Sequence, residues 1–207
     1  TAWFGQASAQ SKISTVVVTA PGIAIDRDEA LSVSGREIER AGATDLLGAL
    51  TRNIAGVTLQ DAQNNPWQPN LVYRGFIASP LQGQAQGLAA YMDGARFNQP
   101  FGDTVQFDLL PEVAIERISI LDASAIYGLN ALGGAVVIET RTGSSAPGVE
   151  ANLASGRFGY VEGSLQSGME IGPYSAYFAF QGTQDGGWRD FSPSTLYNGY
   201  ADIGYDG

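Results

Sequence analysis

Two short helices are predicted near the start of the chain from the pattern of polar and apolar positions. Ser34 and Glu37 have the spacing of a capping box, which predicts a helix that stops near Gly42. Apolar residues at helical spacing predict a second helix, which starts at Thr44 and ends at Gly56. The apolar positions of that second helix are Leu46, Leu47, Leu50 and Ile54.

Short apolar runs between glycine, proline and polar residues predict strands over the same part of the chain. Asp93-Gly94 marks a tight turn after one of these runs. The predicted strands cover residues 13–20, 57–59, 70–74, 88–92, 114–121 and 135–140. Segments 107–113 and 123–129 are expected to form short helices or turns, and 77–87 a loop. Together these elements predict an α+β unit over about residues 13–142.

The pattern changes at residues 143–148, a Gly-, Ser- and Pro-containing stretch that we interpret as a domain boundary. Beyond it apolar and polar residues alternate with period two, which predicts about four strands joined by short, tight and longer links. Alternating short and long connections are typical of outer-membrane barrels. Four strands alone would leave unpaired backbone groups in hydrocarbon, so we expect the first part of a larger barrel. A soluble meander is the alternative.

Composition removes several classes of chemistry. The 207 residues include 27 Gly but no Cys and no His, which excludes disulfides, thiolate metal sites and histidine-based catalysis. No carboxylate pair stands in a recognisable catalytic context, so the chain is not expected to be an enzyme or to need a cofactor. The 21 acidic against 11 basic residues leave no basic footprint for nucleic acid.

The first residues carry a possible processing signal. Ala7-Ser8-Ala9 before Gln10 fits the A-x-A pattern of a signal-peptidase site, although the basic and most of the apolar part of a signal peptide are absent. Residues 1–12 are therefore expected to be a signal-peptide remnant or a disordered N-terminus.

Six motifs follow one another in a characteristic order. They are TVVVTA (15–20), VSGREIERAGATDLLGALTRNIAGVTLQ (33–60), LVYRGF (71–76), YMDGARF (91–97), AIERISIL (114–121) and AIYGLNALGGAVVIETRTG (125–143). In this order and spacing they resemble the plug domain of TonB-dependent outer-membrane receptors. Two departures are Ala55, where the family usually has Pro, and Leu121 to Ser124, which replace an Arg-Gly-Pro-x segment.

The resemblance implies a fold class and a function. The expected fold is an α+β plug domain (a small mixed β-sheet with short helices), followed by the start of a transmembrane antiparallel β-barrel. The plug with its TonB box would span 13–143 and the first barrel strands 144–207. The implied protein sits in the Gram-negative outer membrane, in contact with lipid, with its N-terminus in the periplasm. It imports a siderophore-, cobalamin- or saccharide-like nutrient with energy from TonB. The alternative is a plug-only periplasmic module that binds TonB or signals.

The resemblance also implies a partner-binding segment. It consists of Thr15, Val16, Val17, Val18, Thr19 and Ala20. This β-prone run would add a strand to an edge of the periplasmic C-terminal domain of TonB. The alternative is a strand that stays docked in the plug.

External ligand is expected at three plug apices, which fall in residues 61–68, 79–87 and 97–102. The candidate ligand-binding residues are Gln63, Asn64, Asn65, Trp67, Gln68, Gln82, Gln84, Asn98, Gln99 and Phe101. Amides offer donors and acceptors without charge, and aromatic rings offer an apolar face, so a neutral polar ligand is favoured over an anion. The alternative is that these are ordinary loop residues.

Contacts between plug and barrel are expected from Arg74, Glu116 and Arg117, because desolvated charges at such an interface need partners. Ordinary surface charge is the alternative. Tight turns and close backbone approach to the wall are expected at the glycines Gly128, Gly133 and Gly134.

Overall fold

The computed structural model describes residues 31–40 and 46–205. The predicted strand at 13–20 and the predicted helix start at Thr44 lie outside these residues. The helices are α1 (Gly35–Arg40) and α2 (Leu46–Asn53). The strands are β1 (Leu31–Ser34), β2 (Val57–Gln60), β3 (Asn70–Tyr73), β4 (Phe76–Ala78), β5 (Leu88–Met92), β6 (Ala95–Arg96), β7 (Ile115–Leu121), β8 (Gly134–Thr140), β9 (Gly148–Ser155), β10 (Val161–Ile171), β11 (Tyr174–Asp185) and β12 (Ser194–Tyr205). Short 3₁₀ turns cover Phe107–Leu109, Glu112–Ala114, Ala125–Tyr127 and Arg157–Gly159.

Both predicted helices are confirmed. The backbone N and the Oγ of Ser34 each donate to Glu37 Oε2 at 2.8 Å, which is the capping box that starts α1. In α2 the predicted apolar positions Leu46, Leu47 and Leu50 are buried. Gly56 ends this part of the chain with a φ of 85°, a conformation that favours glycine.

The α+β unit, by which we mean the described residues up to 142, contains two sheets around one main core. The first has the strand order β1-β7-β8-β5-β6, with β5 parallel to β8 and the other neighbours antiparallel. The second is the antiparallel sheet β2-β3-β4. Helix α2 packs between them, because Leu50 of the helix, Leu71 of β3 and Ile118 of β7 belong to one buried cluster.

Strands β1, β4 and β6 of this unit were not predicted, and the loop prediction for residues 77–87 is partly wrong. Residues 77–87 are not a loop throughout, because β4 pairs with β3 over residues 76–78. The connecting residues Arg74 and Gly75 both have positive φ, at 50° and 88°, as a two-residue hairpin turn demands. A strand of three residues is too short for its alternation to be seen in the sequence.

The remaining strands form an antiparallel sheet in the order β12-β11-β10-β9, which we call the four-stranded sheet. Its four strands were predicted from the alternation, and β11, for example, reaches Asp185. The β10–β11 turn is tight, at Gly172 and Pro173, whereas residues 186–193 between β11 and β12 form a longer loop. No sheet closes on itself within the described part of the chain.

The two faces of the four-stranded sheet differ in chemistry. Paired residues share a face, so cross-strand rows identify each side. One face carries exposed apolar or aromatic side chains, namely Val149, Ala151, Leu153, Val161, Leu165, Met169, Ile171, Tyr174, Phe178, Phe180, Tyr197, Ala201, Ile203 and Tyr205. The other face is largely polar and contacts the α+β unit. No helix in the described ranges is long and apolar enough to cross a membrane.

Candidate functional site

Three loops meet at one end of the α+β unit. We call them loop 1 (61–69), loop 2 (79–87) and loop 3 (97–104). Gln106 joins loops 1 and 2, because its side chain accepts from Gln68 Nε2 at 2.9 Å and donates to the carbonyl of Pro80 at 3.0 Å. Loops 2 and 3 lie side by side, since a Cβ added to Gly102 would be 3.1 Å from Gln82 Cγ. The three predicted apices therefore form one surface.

Most of the predicted ligand-binding residues are accessible on this surface. Phe101 is 83% exposed, and Asn65 is half-buried. The other exposed candidates are Gln63, Asn64, Gln82, Gln84 and Gln99.

Trp67, Gln68 and Asn98, which are half-buried or buried, have polar atoms engaged by residues outside their own loops. Trp67 Nε1 donates to Ser194 Oγ at 2.9 Å, and Gln68 Nε2 also donates to Asp108 Oδ2 at 2.7 Å. Asn98 is buried, and its Oδ1 accepts from the backbone N of Ala90 at 2.7 Å. These side chains are placed to shape the loops, and loop 3 in particular is fixed by Asn98.

The polar residues of loop 1 also hold its own fold. Asp61 Oδ1 accepts from the backbone N of Asn64 at 2.6 Å, and Asn65 Oδ1 accepts from the backbone N of Trp67 at 3.0 Å. Gln63 Nε2 donates to Gln68 Oε1 across the loop. Loop 1 is thus shaped in advance of any ligand.

The loop between β11 and β12, which we call the outer loop (186–193), stands beside loop 1. Arg189 Nη1 donates to Asn64 Oδ1 at 2.9 Å, and its guanidinium lies 3.9 Å from the ring centroid of Trp188. Between the two loops is a cleft of about 270 Å³, whose lining includes Asp61, Asp185 and Trp188. Sequence reasoning missed the outer-loop residues. The Trp-Arg pair in the longest connection of the four-stranded sheet was the available signal.

The polar face of the four-stranded sheet holds the α+β unit through the turn at residues 107–114. Asn198 Nδ2 donates to the carbonyls of Asp108 and Leu110, at 3.1 and 2.7 Å. Gln181 Oε1 accepts from the backbone N of Val113 at 3.2 Å, and the hydroxyl of Tyr177 donates to the Val113 carbonyl at 3.3 Å. Three side chains from two strands therefore bind one turn.

A second group of contacts lies near the end of β8. The Tyr200 hydroxyl is 2.7 Å from Thr140 Oγ1, which in turn donates to Asp93 Oδ2 at 2.7 Å. Arg141 Nη1 donates to Gln166 Oε1 at 2.7 Å. The sequence reasoning did not select the residues of either group. Of these residues, Gln166, Asn198 and Tyr200 stand at polar positions of the period-two alternation that it described.

Two of the three charges predicted to contact the barrel pair with residues of the α+β unit. Arg74 pairs with Asp122 at 2.8 Å in an exposed ion pair, and Arg117 Nε is 3.7 Å from Glu139 Oε2. Glu116 is exposed and, with Arg117, lines an open cleft of about 780 Å³ that also reaches β9. Contact of these three residues with a barrel wall stays a prediction.

The Tyr73 phenol is perturbed by its surroundings at the same corner. Burial raises the pKa of Tyr73, while the neighbouring Arg74 lowers the pKa and Asp122 raises it. The net pKa lies above the ordinary value of 10.0.

The glycines chosen from the sequence approach the α+β unit itself rather than the four-stranded sheet. A Cβ on Gly133 would lie 2.3 Å from Phe76, and one on Gly134 would lie 2.1 Å from the carbonyl oxygen of Leu121. Gly128 needs its freedom for a φ of 72°. No group of three or more His, Cys, Asp or Glu that could hold a metal occurs in residues 31–40 and 46–205.

Comparison with known proteins identifies a family and several relatives of this chain. The sequence model of the family described as TonB-dependent Receptor Plug Domain matches residues 9–135. The vitamin B12 transporter BtuB of Vibrio cholerae is 27% identical over 164 residues, which are 76% of this chain and 26% of that protein. The copper transporter OprC has a TM-score of 0.63 at 16% identity, covering 86% of this chain and 28% of that one. The unliganded ferric citrate transporter FecA also gives 0.63, at 18% identity and 84% and 28% coverage. The chain thus spans about a quarter of the length of the curated relatives it matches.

Proposed function

We propose that this chain, which belongs to the family of TonB-dependent receptor plug domains, forms part of an outer-membrane receptor that imports an external nutrient. Residues 13–143 act as the plug with its TonB box, and 144–207 as the first strands of the barrel around it. Relatives named as transporters of vitamin B12, copper and ferric citrate support nutrient import in general. The assigned role is binding and transport rather than catalysis.

The observation that carries this proposal is the asymmetry of the four-stranded sheet. Its outer face is apolar and exposed, with Leu153 at 84% and Ile203 at 76%. Its inner face binds the plug through polar side chains such as Asn198. Apolar-out and polar-in strands are what a barrel wall needs between lipid and a polar interior. The rings of Tyr174 and Tyr205, 5.2 Å apart beside the tight turn, suit a membrane interface.

The proposed ligand surface is the end where loops 1, 2 and 3 meet. We assign direct contact to the accessible candidates Gln63, Asn64, Asn65, Gln82, Gln84, Gln99 and Phe101. Trp67, Gln68 and Asn98 keep their place in the site as the residues that fix loop shape. The outer loop lies next to this surface, as expected for an external connection that helps enclose a ligand.

The energy input is assigned to Thr15–Ala20, which lie outside the described residues. Val17→Pro removes a backbone N–H that a strand added to TonB would use, so energised uptake should be abolished while ligand binding is kept. Val17→Thr, which retains the N–H and β-branching, is the matched control. Uptake of radiolabelled ligand by cells, beside binding to isolated outer membranes, measures both properties. Undiminished uptake by the proline variant would refute the assigned role.

The alternative is a plug-only periplasmic module. It has less support, because a water-exposed apolar face as long as β10 to β12 favours aggregation. A folded product that remains in solution without detergent would favour the module over the receptor.

A further inference from the structure

The cleft between loop 1 and the outer loop has two pre-shaped walls. Loop 1 is fixed by the Asp61 and Asn65 contacts described above. In the outer loop, Asp185 Oδ1 accepts from the backbone N of Gly187 at 2.8 Å, and Ser192 Oγ donates to the carbonyl of Arg189 at 2.8 Å. Arg189–Asn64 and Trp67–Ser194 hydrogen bonds hold the walls together. A ligand would meet a formed site and would not have to order it, which favours affinity.

The lining of this cleft places two acceptor-only side chains beside amides. Asp61 and Asp185 contribute carboxylates, which only accept hydrogen bonds, whereas Asn64 and Asn65 can do both. A ligand that pairs with both carboxylates must therefore donate hydrogen bonds. An anion such as a phosphate or a ferric catecholate would face two negative charges. Hydroxyl groups donate without carrying charge.

Arg189, a cation beside this cleft, argues against a cationic ligand on Trp188. Arg189 is fixed between the ring of Trp188 and Asn64. A ligand ammonium approaching the same indole would meet this guanidinium. Trp188 remains 66% exposed, so the part of its ring that Arg189 leaves open can receive an apolar ligand face.

Resting on the receptor function proposed above, we infer that this cleft binds an uncharged, hydroxyl-rich ligand of the carbohydrate class. A sugar ring places its C–H face on Trp188 and donates hydroxyl protons to Asp61 and Asp185. The cleft of about 270 Å³ lies just below the ~300–1,000 Å³ typical of pockets for drug-sized ligands, so it holds one part of a longer saccharide. The neighbouring amides of loops 2 and 3 are the surface for the remainder.

The test uses the purified full-length receptor in detergent. An array of neutral oligosaccharides, an anionic ferric tris-catecholate and cyanocobalamin are the probes, with affinities measured by calorimetry. We expect binding to a neutral oligosaccharide that changes less than twofold between low and high salt, because no charge pairs with the ligand. Preference for the catecholate or cyanocobalamin, or no binding of any glycan, would overturn the inference.

Removing the two carboxylate charges of the cleft tests whether they accept hydrogen bonds from the ligand. Asp61→Asn with Asp185→Asn keeps the carbonyl oxygens that fix the loops but removes both charges, so oligosaccharide binding should weaken by roughly tenfold. Asp190→Asn, in the same outer loop but not in the lining, is the control and should bind as the parent does. Unchanged or tighter oligosaccharide binding by the double variant would show that the two carboxylates do not accept hydrogen bonds from the sugar, and would contradict the inference. If cells take up the catecholate in a TonB-dependent way, the ligand inference fails but the receptor function stands. If no bound probe is taken up in a TonB-dependent way, the receptor function itself is refuted.

Discussion

The attachment of the plug to the wall at Asn198 can be tested by removing a single amide. Asn198 Nδ2 donates both of its protons to the carbonyls of Asp108 and Leu110. A typical intramolecular hydrogen bond contributes about 1 kcal/mol net, so Asn198→Ala should weaken docking of the turn by about 2 kcal/mol, or roughly 30-fold. Asn198 is half-buried, so water can partly replace the amide, and a larger effect is not expected.

A matched control exists on the same face of the sheet. Asn152 and Asn198 stand in one cross-strand row, through Ser164 and Gln181. Asn152 is exposed, and its Nδ2 donates to Glu150 on its own strand at 3.1 Å. Asn152→Ala thus removes the same group from the same face without touching the plug.

Hydrogen exchange followed by mass spectrometry on the full-length receptor measures the effect. The peptide covering residues 107–114 should lose protection by about the predicted 2 kcal/mol in Asn198→Ala and stay unchanged in Asn152→Ala. Asn198→Asp keeps the shape but has no donor, so it should lose at least as much protection. If the two alanine variants agree within twofold, the hydrogen bonds do not hold the plug.

Two further predictions concern packing and pH. Gly168→Ala would place a Cβ 2.1 Å from the carbonyl oxygen of Ala146, so the yield of folded receptor in heat-modifiability gels should fall. The control is Gly163→Ala, whose Cβ would lie 3.8 Å from Leu153 Cδ1 and which should fold normally. Because burial raises the pKa of Tyr73, its contribution to stability is complete below pH 10.0 and is lost as the pH rises through the folded-state pKa. Urea unfolding from about pH 9 to pH 11 should show a decline that is smaller in Tyr73→Phe, and equal slopes would contradict it.

Local chemistry made several elements predictable from the sequence. The capping pair Ser34–Glu37 acts over three residues, and the apolar spacing of α2 follows directly from burial on one face. The wall strands alternate because their two faces meet different surroundings, so the face of each residue could be assigned. The Asp93-Gly94 turn also follows from its residues, both of which have positive φ.

Long-range partners could not be predicted in the same way. Trp67 meets Ser194 across 127 positions, and no property of either residue specifies the other. Arg74 was selected as a barrel contact, and no feature of the sequence pairs it with Asp122, which lies 48 positions later and comes within 2.8 Å. Asn98 was predicted to bind ligand because an amide offers donors and acceptors without charge, whereas its burial and its hydrogen bonds show that it fixes loop 3.

The composition of residues 143–148, between the plug and the four-stranded sheet, does not show how tightly this segment packs. Residues 143–148 have the Gly, Ser and Pro content of a flexible linker. In the structure Gly143 is buried, and a Cβ there would lie 2.4 Å from the Met169 carbonyl oxygen and 2.5 Å from the Ala176 backbone N. Gly168 meets the Ala146 carbonyl oxygen from the sheet side. Gly143 and Gly168 therefore allow the backbone of residues 143–148 to pack directly against the backbone of β10 and β11. This close packing attaches the segment to the four-stranded sheet.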